Sequence, residues 1–419
     1  MATAERTRLD DLAGTVGGHA REAGPDDAVG GVRPQWVASP GSTDEAAALL
    51  ALAARLGSSV VVRGRGTALQ WGSPPRSADL VVGTERLDGV VEHEAGDLVC
   101  TVEAGTRIDD VNRVVGEAGQ QLALDQPVPG SSVAGALSTT RSGPRRLAYG
   151  APRDLVVGVT MVRPDGVVAK AGGKVVKNVA GYDLAKLLGG AYGTLGLVTR
   201  MVVRLHPLAP STRWVARTVA EPAEAVAAAL RVVGSQVVAS AVEVRRPAGG
   251  GGAAEVLVLL EGTKRGVAGR AAETARLLGD GAAEADVDAG ELARLDAGVD
   301  DAVVKVAVPL TGAAGVLQAV ADLEQRLGLE VRVSGSVGVG VLHTVLPEIS
   351  GKDGAVAEAV TVLRRTAAGG SAVLLQAPPG VRELVDSWGP VDALDLMRRV
   401  KDEFDPDHRF APGRFVGGI

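Results

Sequence analysis

Val60-Val61-Val62-Arg63-Gly64-Arg65-Gly66-Thr67 is the stretch on which the reading of this chain turns. Three β-branched residues after Ser59 read as a buried strand, and the Arg-Gly-Arg-Gly sequence ends it in a turn. Glycines at 64 and 66 permit positive φ and leave backbone N–H groups without a Cβ in the way, so the turn can wrap a pyrophosphate. Two other nucleotide loops fail on their neighbours. A Rossmann fingerprint needs a third small residue at position 69 with a helix opening there; Leu69 and Pro74-Pro75 supply neither, although Glu85 stands at a suitable distance. A Walker loop needs Gly-Lys-Ser/Thr, whereas Gly173-Lys174 is followed by Val175. Taken alone, glycines after a strand are more often a plain turn.

Working outward, apolar residues recur at helical spacing over 43–56 after a Ser-Thr-Asp entry and stop at Gly57, which predicts a capped amphipathic helix. Strands are expected at 59–62, 80–82, 98–102, 155–162 and 167–169. The last two are joined by Arg163-Pro164-Asp165-Gly166, whose order specifies a hairpin turn. Helices are expected over 107–118 and 182–188, and a strand over 197–205 ends at His206-Pro207. Beyond about residue 209 the pattern becomes strand 212–218, helix 222–233, strands 241–246 and 254–260, and helix 265–278. It then recurs as strand 302–308, helix 313–327, strands 330–336 and 340–346, helix 354–366 and strand 372–376. This is a doubled β-α-β-β-α-β pattern, an antiparallel sheet with helices on one face, repeated in pattern rather than identity. Gly249 to Gly252 reads as a hairpin tip, and a last helix is expected over 391–403.

At 419 residues the chain exceeds what one core supports, so two domains of roughly 150–250 residues are expected. Of the residues 46% are hydrophobic but only 2% aromatic, so the cores must be built from Val, Leu and Ala. The 57 glycines and 21 prolines stay below the roughly 25–30% that marks low complexity, so the chain should fold throughout. A net charge of −6 without a basic run argues against nucleic acid. Cys100 stands alone, which excludes an intrachain disulfide, a cysteine-ligated iron–sulfur cluster or a Cys-rich zinc site in this chain, and fits a reducing, cytoplasmic setting. Residues 1–14 carry no apolar stretch of signal-peptide length and no segment reaches about 20 apolar residues, so membrane contact is expected only indirectly, through a partner.

Two more segments join the first. Pro127-Val128-Pro129-Gly130-Ser131-Ser132-Val133-Ala134-Gly135-Ala136-Leu137-Ser138-Thr139-Thr140-Arg141-Ser142-Gly143 is filled with small residues that let backbone approach a flat ligand; by itself it is equally a loop packed under a sheet. Residues 177–199 contain Gly181-Tyr182-Asp183-Leu184 and Gly193-Thr194-Leu195-Gly196. In this order the three segments resemble the FAD-linked oxidases of the vanillyl-alcohol oxidase and p-cresol methylhydroxylase type. The resemblance covers about 32–207 and resumes at Phe404-Asp405-Pro406-Asp407-His408-Arg409-Phe410-Ala411-Pro412-Gly413-Arg414. It implies an α+β fold: a two-lobed FAD-binding domain over 1–208, a ferredoxin-like cap over 209–390, and a segment 391–419 returning to the first domain. It also implies FAD contacts from Arg63, Gly64, Arg65, Gly66 and Thr67, from Pro129, Gly130, Ser132, Val133, Ala134, Gly135, Thr139 and Gly143, and from Gly193, Gly196 and Val198.

Within the family, Gly172-Gly173-Lys174-Val175-Val176-Lys177-Asn178-Val179-Ala180-Gly181-Tyr182-Asp183-Leu184 and Ser142-Gly143-Pro144-Arg145-Arg146 are most similar to the FAD-binding E subunits of bacterial glycolate oxidases. That implies a larger FAD-linked oxidase subunit and an iron–sulfur subunit as partners, and a small 2-hydroxy acid, glycolate, as substrate of the complex. The alternatives are a self-sufficient FAD-dependent oxidoreductase of a small hydroxy acid and a non-catalytic structural subunit. Catalytic relatives carry a metal-binding histidine pair in the cap; here 209–390 contains only His343, so no metal and no catalytic residue is assigned. A lone histidine on a strand is more often a packed residue than a base. Arg245, Arg332 or Lys305 can hold a carboxylate or equally end a solvated strand. Arg65, Thr67 and Ala68 stand where many relatives tether FAD through histidine, and Cys100 sits at a packed strand position, which implies non-covalent FAD. Ala411 replaces the family's asparagine, and Lys177 or Arg414 can stabilise charge on a reduced flavin or equally lie at the surface.

Overall fold

Val60–Arg63 is the edge of a four-stranded sheet ordered Ala20–Glu22, Trp36–Ala38, Leu80–Gly83, Val60–Arg63, with the last three strands parallel. The computed structural model describes residues 2–173, 183–249 and 252–419, with side chains from residue 7 onward. The expected helix start at Tyr182, the segment around Lys177 and Gly181, and the tip glycines Gly250 and Gly251 lie outside the described residues. The parallel strands require a crossover, and helix Thr43–Arg55 supplies it. Its N-cap Ser42 accepts the Glu45 N–H at 3.1 Å, and Gly57 leaves it at φ +64°. Leu49, Leu50 and Ala53 on its inner face are fully buried against Val60, Leu80 and Val82 of this sheet and Val162 and Leu197 of the next.

That next sheet has five antiparallel strands, ordered Val90–Glu94, Val99–Glu103, Leu197–Arg204, Val156–Val162, Val168–Gly172. The Arg163 to Gly166 turn joins the last two as expected, with the Gly166 N–H on Arg163 O at 2.9 Å. Cys100 lies in Val99–Glu103 and is buried, which pushes its thiol up to about 11 and leaves it unreactive.

Residues 211–376 build an eight-stranded antiparallel sheet ordered Ala283–Ala285, Ser211–Val219, Ala254–Gly262, Ala241–Arg246, Arg332–Ser336, Val341–Leu346, Ala302–Ala307, Ser371–Gln376. The two β-α-β-β-α-β units have the same strand order and join at their second strands, Ala241–Arg246 and Arg332–Ser336. Helices Pro222–Val233, Lys264–Leu278, Ala313–Leu327 and Asp353–Thr366 cover one face with Val, Leu and Ala. The other face turns toward the first two sheets: Val303, Val345 and Leu375 pack on Trp71.

The C-terminal segment, after helix Leu394–Phe404, returns to the first sheet. The Val60 N–H donates to Arg409 O at 2.8 Å and the Ala411 N–H to Val60 O at 2.7 Å, with Phe410 buried beneath helix Thr43–Arg55. The result is an α+β fold whose glycine turn lies where the first sheet, the cap sheet and the tail converge. Among the described residues no helix is long and apolar enough to cross a membrane.

Candidate functional site

The turn after Val60–Arg63 stays open because glycine is the only residue that fits it. Gly66 has φ +77°, and a Cβ on Gly64 would come within 2.5 Å of Ser132 Oγ. Ser132 caps helix Val133–Thr139, its Oγ accepting the Gly135 N–H at 3.3 Å, and a Cβ on Gly135 would meet the same oxygen at 2.8 Å. One hydroxyl therefore fixes how closely the turn and the small-residue helix approach. Across the gap Arg65 donates to Gly105 O at 2.7 Å and pairs with Asp88 at 2.6 Å, while Thr67 Oγ1 lies 3.2 Å from Ser131 Oγ.

These elements enclose a cavity. Gly64, Arg65, Gly66 and Thr67 form one wall; Ser132, Ala134, Gly135 and Thr139 a second; Gly193, Gly196 and Val198 a third. The remaining residues expected at the site lie elsewhere. Arg63 turns outward to Asp27 at 2.8 Å; hydrogen bonds from Arg21 and then Arg63, working against burial, hold that carboxyl far below its usual range. Val133 faces the core, and Pro129 and Gly130 are not on the walls. Gly143 borders a second, smaller cavity.

Thr84, Ser138, Arg141, Tyr192 and Arg414 also line the first cavity, and of these only Arg414 carried an expectation from sequence. Arg141 lies 5.2 Å above the Trp71 ring and donates to Thr67 Oγ1 at 2.9 Å. Arg414 donates to Trp71 O at 2.9 Å and Leu69 O at 3.2 Å. Both are buried without a carboxylate partner among the described residues, and burial brings each down to about 10, so both remain cationic. Arg141 Nε, Arg414 Nη1 and Thr84 Oγ1 are buried with no hydrogen-bond partner among the described residues. Tyr192, packed edge-on to Trp388 at 4.9 Å, has its phenol pushed up to about 12 by burial. The signal for Arg141 was its place inside the small-residue run; its partner Thr67 is 74 residues away.

A cradle of glycines with orphaned buried arginine donors suits an anionic ligand. Residues 34–172 match the family model of an FAD binding domain, and residues 381–415 that of the C-terminal domain of FAD linked oxidases. Both matches are to FAD-linked oxidases. It is similar to glycolate oxidase subunit GlcD of Bacillus subtilis, 35% identical over 175 residues, covering 42% of this chain and 37% of that protein. It is also similar to glycolate oxidase subunit GlcE of Escherichia coli, 33% identical over 150 residues, covering 35% of this chain and 42% of that protein. Those matches span less than half of either relative. The fold extends further: the structure of p-cresol methylhydroxylase with substrate bound superposes with a TM-score of 0.76 at 15% identity, covering 98% of this chain and 96% of that one.

The residues present fit FAD. The turn's backbone and the Ser132 and Thr67 hydroxyls face a space that a Cβ would fill, and the orphaned donors of Arg141 and Arg414 supply the positive charge that a dinucleotide's phosphates or a flavin's carbonyl edge requires. Among the described residues the cavity walls carry neither histidine nor cysteine. Among the described residues no group of three or more His, Cys, Asp or Glu is placed to hold a metal ion. Arg245 is a surface residue paired with Glu255 at 2.6 Å, and Arg332 is half-buried and donates to Asp296 O at 2.6 Å.

Proposed function

We propose that this FAD-linked oxidase is the E-type, FAD-binding subunit of a glycolate oxidase complex, working beside a larger flavoprotein subunit and an iron–sulfur subunit. The observation that carries this reading is a contrast within one chain: the dinucleotide cradle is furnished on three walls, while residues 209–390 contain a single histidine, His343. In the complex, glycolate loses the hydride on its carbinol carbon and the proton of its hydroxyl to become glyoxylate. FAD, when bound, supplies the two-electron acceptor. This chain's part is to bind and orient it. The Gly64 to Thr67 backbone with Ser132, Ala134, Gly135 and Thr139 would hold the phosphates, Gly193, Gly196 and Val198 would close the opposite wall, and Arg141 and Arg414 would sit at the negatively charged edge.

Attachment is non-covalent in this reading. Among the described residues the walls offer no histidine or cysteine, and the phenol of Tyr192 is kept protonated by burial. With Cys100 as its only cysteine, the chain relies on a partner for one-electron chemistry. The test is anaerobic flavin reduction. Glycolate should leave the flavin of the isolated FAD-loaded chain oxidised and bleach it once the larger subunit is added; rapid bleaching of the chain alone would instead establish a self-sufficient hydroxy-acid oxidoreductase. The small polar cavity beside His343 is the observation that favours this second reading.

A further inference from the structure

Among the described residues the two cavities share no wall residue. What separates them is an apolar cluster of Trp71, Leu295, Val303, Val345 and Leu375, with Ala68 and Tyr192 packed against it. Ala68 and Tyr192 are walls of the first cavity, and Leu295 is a wall of the second. Val303, Val345 and Leu375 come from three neighbouring cap strands, on the face away from the cap helices. The indole of Trp71 is the largest side chain in this partition, and Arg141 lies 5.2 Å above its ring on the cavity side. Behind the partition the cap face is polar, with His343, Ser334 and Glu243 on the walls of the second cavity. Lys305, opposite His343 in register, is a wall of neither.

Trp71 is fixed rather than free to swing, because each residue of 69–73 is bonded to the cap or the tail. Arg414 donates to Leu69 O at 3.2 Å and Trp71 O at 2.9 Å. Arg382, on helix Pro379–Leu384, donates to Gln70 O at 2.6 Å and to Gly72 O. The Gly72 N–H donates to Leu375 O at 3.1 Å, which ties the segment to the cap strand that the indole packs on. Gly72 has φ +77°, and a Cβ there would meet Arg414 O and the Trp388 ring at 3.1 Å. The Ser73 N–H donates to Arg414 O at 3.2 Å, and Ser73 Oγ accepts Trp388 Nε1 at 3.2 Å. A side chain anchored in this way is a wall. Replacing so large a buried group by a small one leaves a void that the surroundings fill only in part.

We propose that Trp71 is the residue that denies small molecules access to the cofactor from the cap side: its indole walls the first cavity off from the polar cap face. Oxidation of a hydroxy acid requires one molecule to touch a base and the hydride-accepting ring together. With Trp71 between them, the polar groups around His343 and the first cavity cannot share a substrate. The inference rests on the proposed function, in which FAD fills the first cavity with its charged edge at Arg141 and Arg414, and it gives the inertness of this chain toward glycolate a steric cause.

The experiment is stopped-flow addition of sulfite to the FAD-loaded full chain. Sulfite forms one S–N bond to the oxidised flavin ring with its own electron pair, needs no oxidant, releases no leaving group and bleaches the visible band. The cations Arg141 and Arg414 favour the negative charge this places on the ring, so slow addition reports blocked access rather than weak affinity. Trp71→Ala should react at least tenfold faster than the wild type, while Trp71→Phe, which keeps an aromatic wall, should stay within threefold of it. Trp71→Leu keeps an apolar contact with the cap strands and should react at least threefold faster, which answers the question if the alanine variant does not fold. FAD release, followed in the same samples, should not accelerate in step. Folded, FAD-bound alanine or leucine variants that react at the wild-type rate overturn the proposal, as does equal acceleration of sulfite addition and FAD release, and either result leaves the E-type reading intact. A sulfite-resistant wild type whose flavin stays oxidised with glycolate and the larger subunit sinks the E-type reading and leaves the partition standing.

Discussion

Gly64 is where the account is most exposed to a single atom. A methyl group there would lie 2.5 Å from Ser132 Oγ, so Gly64→Ala must push the turn away from helix Val133–Thr139. FAD affinity should fall at least tenfold, with a stability loss of about 1–3 kcal/mol. Because the clash is with one hydroxyl, Gly64→Ala in a Ser132→Ala background should cost clearly less than the sum of the two single changes; a double-mutant cycle on FAD affinity reads this, and strict additivity would refute the contact. Glu243 gives a second residue-scale expectation. Its folded value near 8 lies above the ordinary 4.5, so the native state holds a proton that the unfolded chain has released between those values. Stability contributed by the protonated form is therefore complete below about pH 4.5 and lost as pH rises through about 8. Glu243→Gln should flatten that slope and stabilise the protein at pH 8 by a few kcal/mol, on the order expected for so large a shift; urea melts at the two pH values would show it, and an unchanged slope would contradict it.

The C-terminal segment is held to the turn by a buried charge. Lys401 Nζ, fully buried, donates to Thr194 O at 2.7 Å, Asp405 Oδ2 at 2.6 Å and Phe410 O at 2.9 Å, so one ammonium joins the last helix, the Gly193 to Gly196 wall and the strand-like pairing at Val60. Lys401→Met leaves Asp405 buried and unpaired and should cost about 3–5 kcal/mol. It should also weaken FAD, because Arg414 rides on the same segment; a urea midpoint within error of the wild type would count against this clamp. The sequence made some elements readable and hid others for physical reasons. Val60–Arg63 and the four cap helices announce themselves by β-branched runs and amphipathic spacing. Ala283–Ala285 has three residues and no β-branched one, so the fourth strand of the first cap unit carries no local signal. The small residues of Val133–Thr139 read as a loop because its helix is fixed by Ser132 and by packing. Helix Ala2–Thr15 went unforeseen, its weak apolar face anchored by Leu12.

At the scale of the whole molecule, three sequence segments, the first two more than 60 residues apart, close one cavity. The glycines of those segments were legible as turn and close-approach positions, and eleven of the residues expected from them stand on its walls: Gly64, Arg65, Gly66, Thr67, Ser132, Ala134, Gly135, Thr139, Gly193, Gly196 and Val198. The cations were harder to foresee. Arg141 acquires its role by reaching Thr67 and Trp71, and Arg414 by reaching the carbonyls of Leu69 and Trp71. Neither relation has a trace in local spacing. The central claim, that the cavity holds FAD without a covalent bond, is tested most directly by loading the purified chain with FAD, removing excess and precipitating the protein with acid. The account predicts about one flavin per chain before precipitation, as one cavity of this kind implies, with all of it released to the supernatant afterwards. Failure to retain flavin, or flavin remaining with the precipitated protein, would contradict it.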